Sequence, residues 1–466
     1  MSLPLAILAG YIVLLYAVSW AATKRSRGIL GFLLAGRGFP AGIVAVMVAG
    51  LAIGGASTIG VAENAYTSGI SAGWYNGAWA AGAVVVGLVA AGRYRKLEVS
   101  TVPEILGRSY DTPGRIIGVV GQIIIQVVIT SLQYVAGGAI LSALLPDVFT
   151  PRSGMLVSAA TFVGITLVGG YWAAGLSNVI NVVVIYVGIV AGAVLCVRHA
   201  GGPAGLAAAL PPGEHWFDPV GGVGGALVGA WFAVMITQAF STQAVTQIAF
   251  AAKDGRSAKL GFALGGLLIF PVGFICALFG IVAASRFPGI TPALALPKTL
   301  LALHPLAAGL ALAGLWAADV STAVGLLLGS STLIIEDVWK RLFPGEITER
   351  RQFWLSRGIT LLISVVTYAL AMSVAGILKT LLLGLTLTAS YTIVLLFTIY
   401  APSLCRRGSA FWTILAGIVF LTIWQLVPQI RIAPHPIYLA WPVGLLAFLA
   451  VRLLDRRPIN LLPGSR

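Results

Sequence analysis

The chain has 466 residues, 59% of them hydrophobic and only 9% charged, with a mean hydropathy of +0.98. Folding in water needs a charged and polar shell that this composition does not supply, so a soluble domain is excluded and a bilayer-embedded helix bundle is expected. The net charge of +15 does not point to nucleic acid, because the cations fall in short loops between apolar spans, where they set orientation.

A helix needs roughly 20 apolar residues to cross a bilayer. Runs bounded by charges, Gly/Pro clusters and polar turns give thirteen spans, at 4–22, 41–68, 74–92, 116–143, 153–170, 176–198, 221–249, 259–284, 306–335, 354–375, 380–401, 409–427 and 437–454. The fold class expected is an all-α membrane protein, one transmembrane domain over 1–466. Of the 29 Lys and Arg residues, 23 fall on one side of these spans and 6 on the other. The positive-inside rule then puts the N-terminus outside and the C-terminus in the cytoplasm of a plasma membrane protein. The first apolar run has no charged region before it and no cleavage pattern after it, so it reads as a span and not a signal peptide. The 57 glycines suit close helix packing.

The second span runs 30 residues from Pro40 to Gly69, with Gly54-Gly55-Ala56-Ser57-Thr58 at its middle. Gly pairs disfavour continuous helix, and Ser and Thr offer the backbone other hydrogen bonds. A helix break is expected there, and unwound backbone in a bilayer must line a cavity or bind something. The seventh span has a similar interruption, Gln238-Ala239-Phe240-Ser241-Thr242-Gln243. Two interrupted helices five spans apart are the sign of an inverted-repeat transporter. The repeats would be 41–198 and 221–401, with 4–22 before them and 409–454 after. Span nine carries Ala318, Ser321, Thr322, Gly325 and Gly329 on one helical face. That face reads either as a small-residue packing seam or as part of an ion site.

Two of the 14 acidic residues, Glu63 and Asp319, fall inside spans. A carboxylate at the bilayer centre costs roughly 2.5–3.5 kcal/mol on insertion scales, so each should face a cavity or a partner. Cys196, Cys276 and Cys405 form no CxxC, and the four histidines lie far apart in loops. No cofactor or transition-metal site is therefore expected. No nucleophile–base pair or phosphate loop appears, so an enzyme is not expected.

Several segments together resemble the sodium:solute symporter family, which includes sodium-coupled sugar, proline, pantothenate and choline transporters. They are Phe32 to Arg37, Gly54 to Tyr66, Ser100 to Glu104, Gly169 to Trp172 leading to Asn178, Ala249 to Lys253, and Ala318 to Lys340. The resemblance implies the fold of the bacterial amino-acid transporter LeuT, a 5+5 inverted repeat, here with one extra N-terminal and two extra C-terminal helices. It implies Na+ as the coupling ion, held by backbone carbonyls of Ala56, Ile59 and Ala318 and hydroxyls of Ser321 and Thr322. Hydroxyl and carbonyl oxygens suit a hard cation, whose water shell they replace. Some relatives carry an aspartate where Asn178 stands. Asp319, flanking the implied site, is a candidate to tune sodium affinity or carry a proton.

The expected function is sodium-coupled import of a small organic solute by alternating access. A proton-coupled transporter of the same fold is the alternative within transport, and a membrane sensor or structural protein the alternative outside it. The short tail after span thirteen leaves no place for a signalling output domain. Expected cavity residues are Glu63, Trp74, Tyr75, Trp79, Gln126, Gln133, Gln238, Thr242, Gln243 and Tyr391. Glu63 with nearby aromatics would suit an amine or zwitterion through charge and cation–π attraction. The same aromatics would also serve as gates or interfacial anchors.

Overall fold

The structure is a computed structural model and describes residues 3–22, 31, 33–213, 215–343, 348–374 and 376–461. The implied family segment at 32–37 is therefore described except for Phe32. Among the described residues there are no strands, only isolated bridges at Phe39–Ala252 and Arg406–Pro458. The helices are α1 (Leu3–Ala22), α2 (Ala41–Ala52), α3 (Val61–Ser68), α4 (Trp74–Val86), α5 (Thr112–Leu144), α6 (Pro151–His199), α7 (Gly225–Ser241) and α8 (Gln243–Ala251). They continue with α9 (Gly255–Arg286), α10 (Pro305–Leu333), α11 (Glu349–Ala371), α12 (Ile377–Leu385), α13 (Thr388–Tyr400), α14 (Ser409–Leu426) and α15 (Ile437–Leu454). Side chains cap several starts. Asp111 accepts from Gly114 N–H, Thr150 and Ser153 form a reciprocal capping box, and Asp254 accepts from Ser257 N–H.

Among the described residues, ten helices are long and apolar enough to cross a membrane, or eleven counting α7 and α8 as one bent span. The count of thirteen is reached only by adding the shorter apolar helix Leu5–Ala21 and by dividing the segment Ala56–Lys96 at Gly69. That division is real. Gly69 sits at φ 66° and ψ −152°, and a Cβ there would strike the Trp216 backbone, so the chain ends α3 and turns into α4. Spans five and six share the one helical run α6. Its Phe162 ring lies 5.1 Å from Trp316, while a Cβ on nearby Gly314 would be 2.9 Å from Val184 O. A straight helix would separate residues 162 and 184 by about 33 Å. The run must therefore double back between them, as two spans do.

Helix α10 is the axis of the bundle: 94% of its most apolar window is buried. It packs on α1, α2, α5 and α6. The outer face is apolar, with Leu267, Val365 and Leu446 about two-thirds exposed. Such residues are solvated by lipid tails and would be costly in water.

Candidate functional site

The first break is where the sequence places it, shifted slightly upstream. Helix α2 stops at Ala52, and Ile53 is non-helical at φ −86° and ψ 78°. Helix resumes with a π-helical turn, Ala56–Gly60, that leads into α3. A helix end leaves its last four carbonyls without intrahelical donors. Those of Gly50 and Leu51 face α10. Ser321 Oγ donates to Gly50 O at 2.8 Å and lies 2.8 Å from Ala318 O. Thr322 Oγ1 donates to Gly50 O at 2.9 Å and to Leu51 O at 3.2 Å. Two hydroxyls and three carbonyls thus converge in one buried place, an oxygen-rich donor set of the kind a hard cation takes.

The carbonyls that meet these hydroxyls are Gly50 and Leu51 rather than Ala56 and Ile59. The reason is local. The helix ends two residues before the glycine pair, so the freed oxygens belong to the last turn of α2. Ala56 and Ile59 lie in the resumed helix, and Ala56 lines the neighbouring cavity. No sequence signal singled out Gly50, one glycine among many.

Asp319 follows Ala318 on α10. It is fully buried, and neither carboxylate oxygen has a hydrogen-bond partner among the described residues. A Cβ on Gly55 would lie 3.1 Å from Asp319 Oδ1, so the carboxylate abuts the break. An unpaired buried charge is costly, and a cation bound nearby offsets that cost. Asn178 sits on the other side of Gly50, where a Cβ would lie 2.6 Å from its Nδ2. Its amide donates to Met47 Sδ at 3.3 Å and its Oδ1 accepts from Asn181 Nδ2 at 3.3 Å.

The second break falls at Thr242, in extended backbone at φ −68° and ψ 128° between α7 and α8, which meet at a 49° bend. Glutamines stitch it. Gln122 Nε2 donates to Ser241 O at 2.7 Å, and its Oε1 accepts from Gln243 N–H at 2.9 Å. Gln243 in turn accepts from Val102 N–H at 2.9 Å and donates to Ser100 O at 3.2 Å. Close by in sequence, Thr101 Oγ1 donates to Asp337 Oδ2 at 2.6 Å, and Asp337 forms a buried ion pair with Arg115 at 2.5 Å.

A small cavity of about 30 Å³ lies between the two breaks. Of the ten residues expected there, Tyr75, Trp79, Gln133, Gln238 and Thr242 line it. Gln133 Oε1 accepts from Gly55 N–H at 2.7 Å, and Thr242 Oγ1 donates to Gln238 Oε1 at 3.1 Å. Gln238 Nε2 is buried without a partner among the described residues.

The other five lie elsewhere. Glu63 is half-buried and accepts from Ile377 N–H at 3.4 Å. Trp74 donates to Pro219 O at 2.8 Å and packs edge-on against Phe274. Tyr391 donates to Gly118 O at 2.7 Å. Gln126 abuts Gly329, and Gln243 is committed to the stitch. Sequence spacing marked these residues as polar or aromatic positions in or beside spans but could not say which of them reach the cavity.

A model of the SSF: Sodium:solute symporter family matches residues 32–417. The chain belongs to the sodium:solute symporter family. The symporter is 22% identical over 372 residues to the High-affinity proline transporter PutP of Bacillus subtilis (strain 168), covering 76% of this chain and 77% of that one. It is 23% identical over 442 residues to a Sodium/proline symporter of Staphylococcus aureus (strain JH9), covering 90% and 85%. Among solved structures, a Na+-coupled sialic acid symporter in a substrate-bound outward-open state superposes with a TM-score of 0.83 at 16% identity, covering 99% of both chains. Mhp1, a nucleobase-cation-symport-1 family transporter, superposes with a TM-score of 0.62 at 16% identity, covering 92% and 94%. These likenesses establish the fold as that of the LeuT-like symporters. The family and its relatives are transporters, not enzymes.

Proposed function

We propose that this symporter imports a small zwitterionic solute, of the amino-acid class, driven by one Na+ held among Gly50 O, Ala318 O, Ser321 Oγ and Thr322 Oγ1. The observation that carries the reading is the convergence of the two α10 hydroxyls on the freed carbonyls of α2, beside an unpaired buried Asp319. When sodium binds, the hydroxyls turn their lone pairs to the ion and release Gly50 O to it. Asp319 supplies the negative charge that the neutral oxygens lack. Replacing it by Asn is expected to weaken sodium binding about tenfold, the effect of one charge–charge contact worth about 1.4 kcal/mol. Unchanged sodium dependence in that variant removes Asp319 from the account.

The cavity supports a zwitterion. Among the described residues no charged side chain lines it, and Glu63, which would have held a free amine, is elsewhere. Gln238 Nε2 offers a donor to a carboxylate, and the adjoining sodium offers a charge. Tyr75 and Trp79 present aromatic surface to an ammonium or ring. The proline-transporting relatives fit this class.

The two breaks stand at matching places in five-span repeats at 41–198 and 221–401, as alternating access between inverted repeats requires. The basic loops support an N-terminus outside the plasma membrane and a C-terminus in the cytoplasm. Each sodium entering gains about 2.3 kcal/mol per 100 mV, and coupling requires solute and sodium to raise each other's affinity equally. Proteoliposomes with an inward sodium gradient, offered a panel of amino acids, amines and sugars, test the reading. Saturable uptake of one zwitterion that needs sodium is the expected result. Uptake driven by a pH gradient in sodium-free buffer, or confined to amines or sugars, overturns it.

A further inference from the structure

A second feature of the molecule lies away from the transport path. Helix α4 continues past Val86 through a π-helical turn into Gly92–Lys96, whose end approaches the start of α9. The approach is close because both elements present glycine. A Cβ on Gly92 would lie 3.2 Å from Gly255 O, and one on Gly255 3.2 Å from Gly92 O. Arg93 and Lys96 are thereby brought beside Arg256 and Lys259, and all four are exposed. Together they border a cleft of about 620 Å³.

The other wall of the cleft is apolar. Leu88, 63% exposed, and Val89, 42% exposed, lie one turn before Arg93 and face outward. Tyr400, at the end of α13, closes the cleft. The Arg93 guanidinium stacks 4.0 Å over its ring, and its hydroxyl donates to Val89 O at 2.5 Å.

What distinguishes this cluster is that four cations without a carboxylate partner gather beside an apolar wall. Some basic residues elsewhere on the same side are paired, Arg95 with Glu98, Arg108 with Glu104, Lys340 with Glu336 and Arg457 with Asp455, while Arg406 and Arg407 form no ion pair among the described residues. Among the described residues, none of the four cleft cations is in an ion pair. The adjacent Asp254 is turned into its own helix, accepting from Ser257 N–H at 2.7 Å. The cleft therefore has a cationic rim with an apolar wall directly above it. A soluble anion would be served by the rim alone, whereas an anionic phospholipid has use for both, its phosphate at the rim and its acyl chain along Leu88 and Val89.

We propose that this cleft is a binding site for an anionic phospholipid of the cytoplasmic leaflet, its phosphodiester held by Arg93, Lys96, Arg256 and Lys259. Arg93, already fixed on Tyr400, offers the planar fork that suits phosphate oxygens, and the lysines add point charge. A lipid seated there cross-ties three elements distant in sequence, the end of α4's continuation, the start of α9 and the end of α13.

The test uses the full-length protein in a neutral detergent, titrated with phosphatidylglycerol, phosphatidylcholine or inorganic phosphate, with thermal unfolding as the readout. Phosphatidylglycerol is expected to stabilise the protein saturably and phosphatidylcholine is not. The Arg256→Gln/Lys259→Gln double variant is expected to need about 25-fold more phosphatidylglycerol, taking about 1 kcal/mol per cation near the surface. An Arg406→Gln/Arg407→Gln variant, equal in charge change, keeps the wild-type response. Lys96→Gln, a single exposed replacement, gives a smaller shift of about fivefold and serves if the double variant does not fold. The proposal is overturned by equal stabilisation from both lipids. It is also overturned by equal stabilisation from inorganic phosphate, or by an equal loss in the Arg406/Arg407 variant.

Discussion

The two helix breaks of this symporter solve the same problem in opposite ways. Both leave backbone oxygens and amides inside the bilayer, where each must find a partner. At Thr242 the partners are side chains: Gln122 takes both the carbonyl before the break and the amide after it, and Gln243 ties the far side to residues 100 and 102. At Ile53 an amide takes only the Gly55 N–H, through Gln133, and the freed carbonyl of Gly50 is met by two hydroxyls from α10, with an unpaired carboxylate close by. A break closed by amides is complete without a ligand. A break closed by hydroxyls can exchange them for a cation, since Ser and Thr are donors and acceptors alike. The difference supports our proposal that the ion binds at the first break while the second serves as a mechanical anchor.

The largest effect that would sharpen this contrast comes from Gly54→Ala. Its new Cβ would stand 2.5 Å from Thr322 Oγ1 and 2.6 Å from Gln133 Oε1, between the ion site and the cavity. Overpacking of this kind costs about 1–3 kcal/mol. Here the displaced atoms are the working ones, so sodium-driven uptake in proteoliposomes should fall at least about 100-fold, the rate equivalent of about 2.7 kcal/mol. Near-normal uptake would mean the break is not tightly built.

Removing the hydroxyls comes next. Ser321→Ala and Thr322→Ala should each raise the sodium concentration for half-maximal uptake about 10- to 100-fold, the loss of one charge-assisted contact of about 1.5–3 kcal/mol. The same assay on Gln122→Ala should show sodium dependence unchanged. Its cost appears in thermal unfolding, at about 1–3 kcal/mol, because Ser241 C=O and Gln243 N–H are left unpaired. If Gln122→Ala instead shifts sodium affinity as much as Ser321→Ala, the two breaks are not functionally distinct. The smallest effect is expected for Ile59→Ala. The side chain is buried, so stability falls, but the sodium requirement of uptake by the folded protein should stay within about twofold, under 0.5 kcal/mol.

Much of the fold was legible because lipid imposes a simple rule: length and hydropathy mark a span whatever its neighbours are. The glycine pair at 54–55 and the Gln/Ser/Thr run at 238–243 revealed the breaks, since both oppose continuous helix in an apolar setting. Ser321 and Thr322 were legible as hydroxyls on one face of a buried helix. What the sequence could not supply was register. The helix end at Ala52 lies two residues before the glycines, and that offset moves the freed carbonyls from Ala56 and Ile59 to Gly50 and Leu51. Height along a helix was equally hidden. Gln126 and Gln133 lie two turns apart on the same face of α5, yet only Gln133 reaches the cavity. Glu63 was conspicuous as an intramembrane acid, but α3 turns it to the Ile377 amide and away from the cavity.

The central claim is that sodium sits between the end of α2 and the hydroxyls of α10. Equilibrium binding of radioactive sodium to the purified protein, in wild type and in the Ser321→Ala/Thr322→Ala double variant, addresses it without knowledge of the solute. One saturable site per chain in the wild type, not displaced by potassium and absent from a folded double variant, is the result this account requires. Full binding retained by the double variant would contradict it.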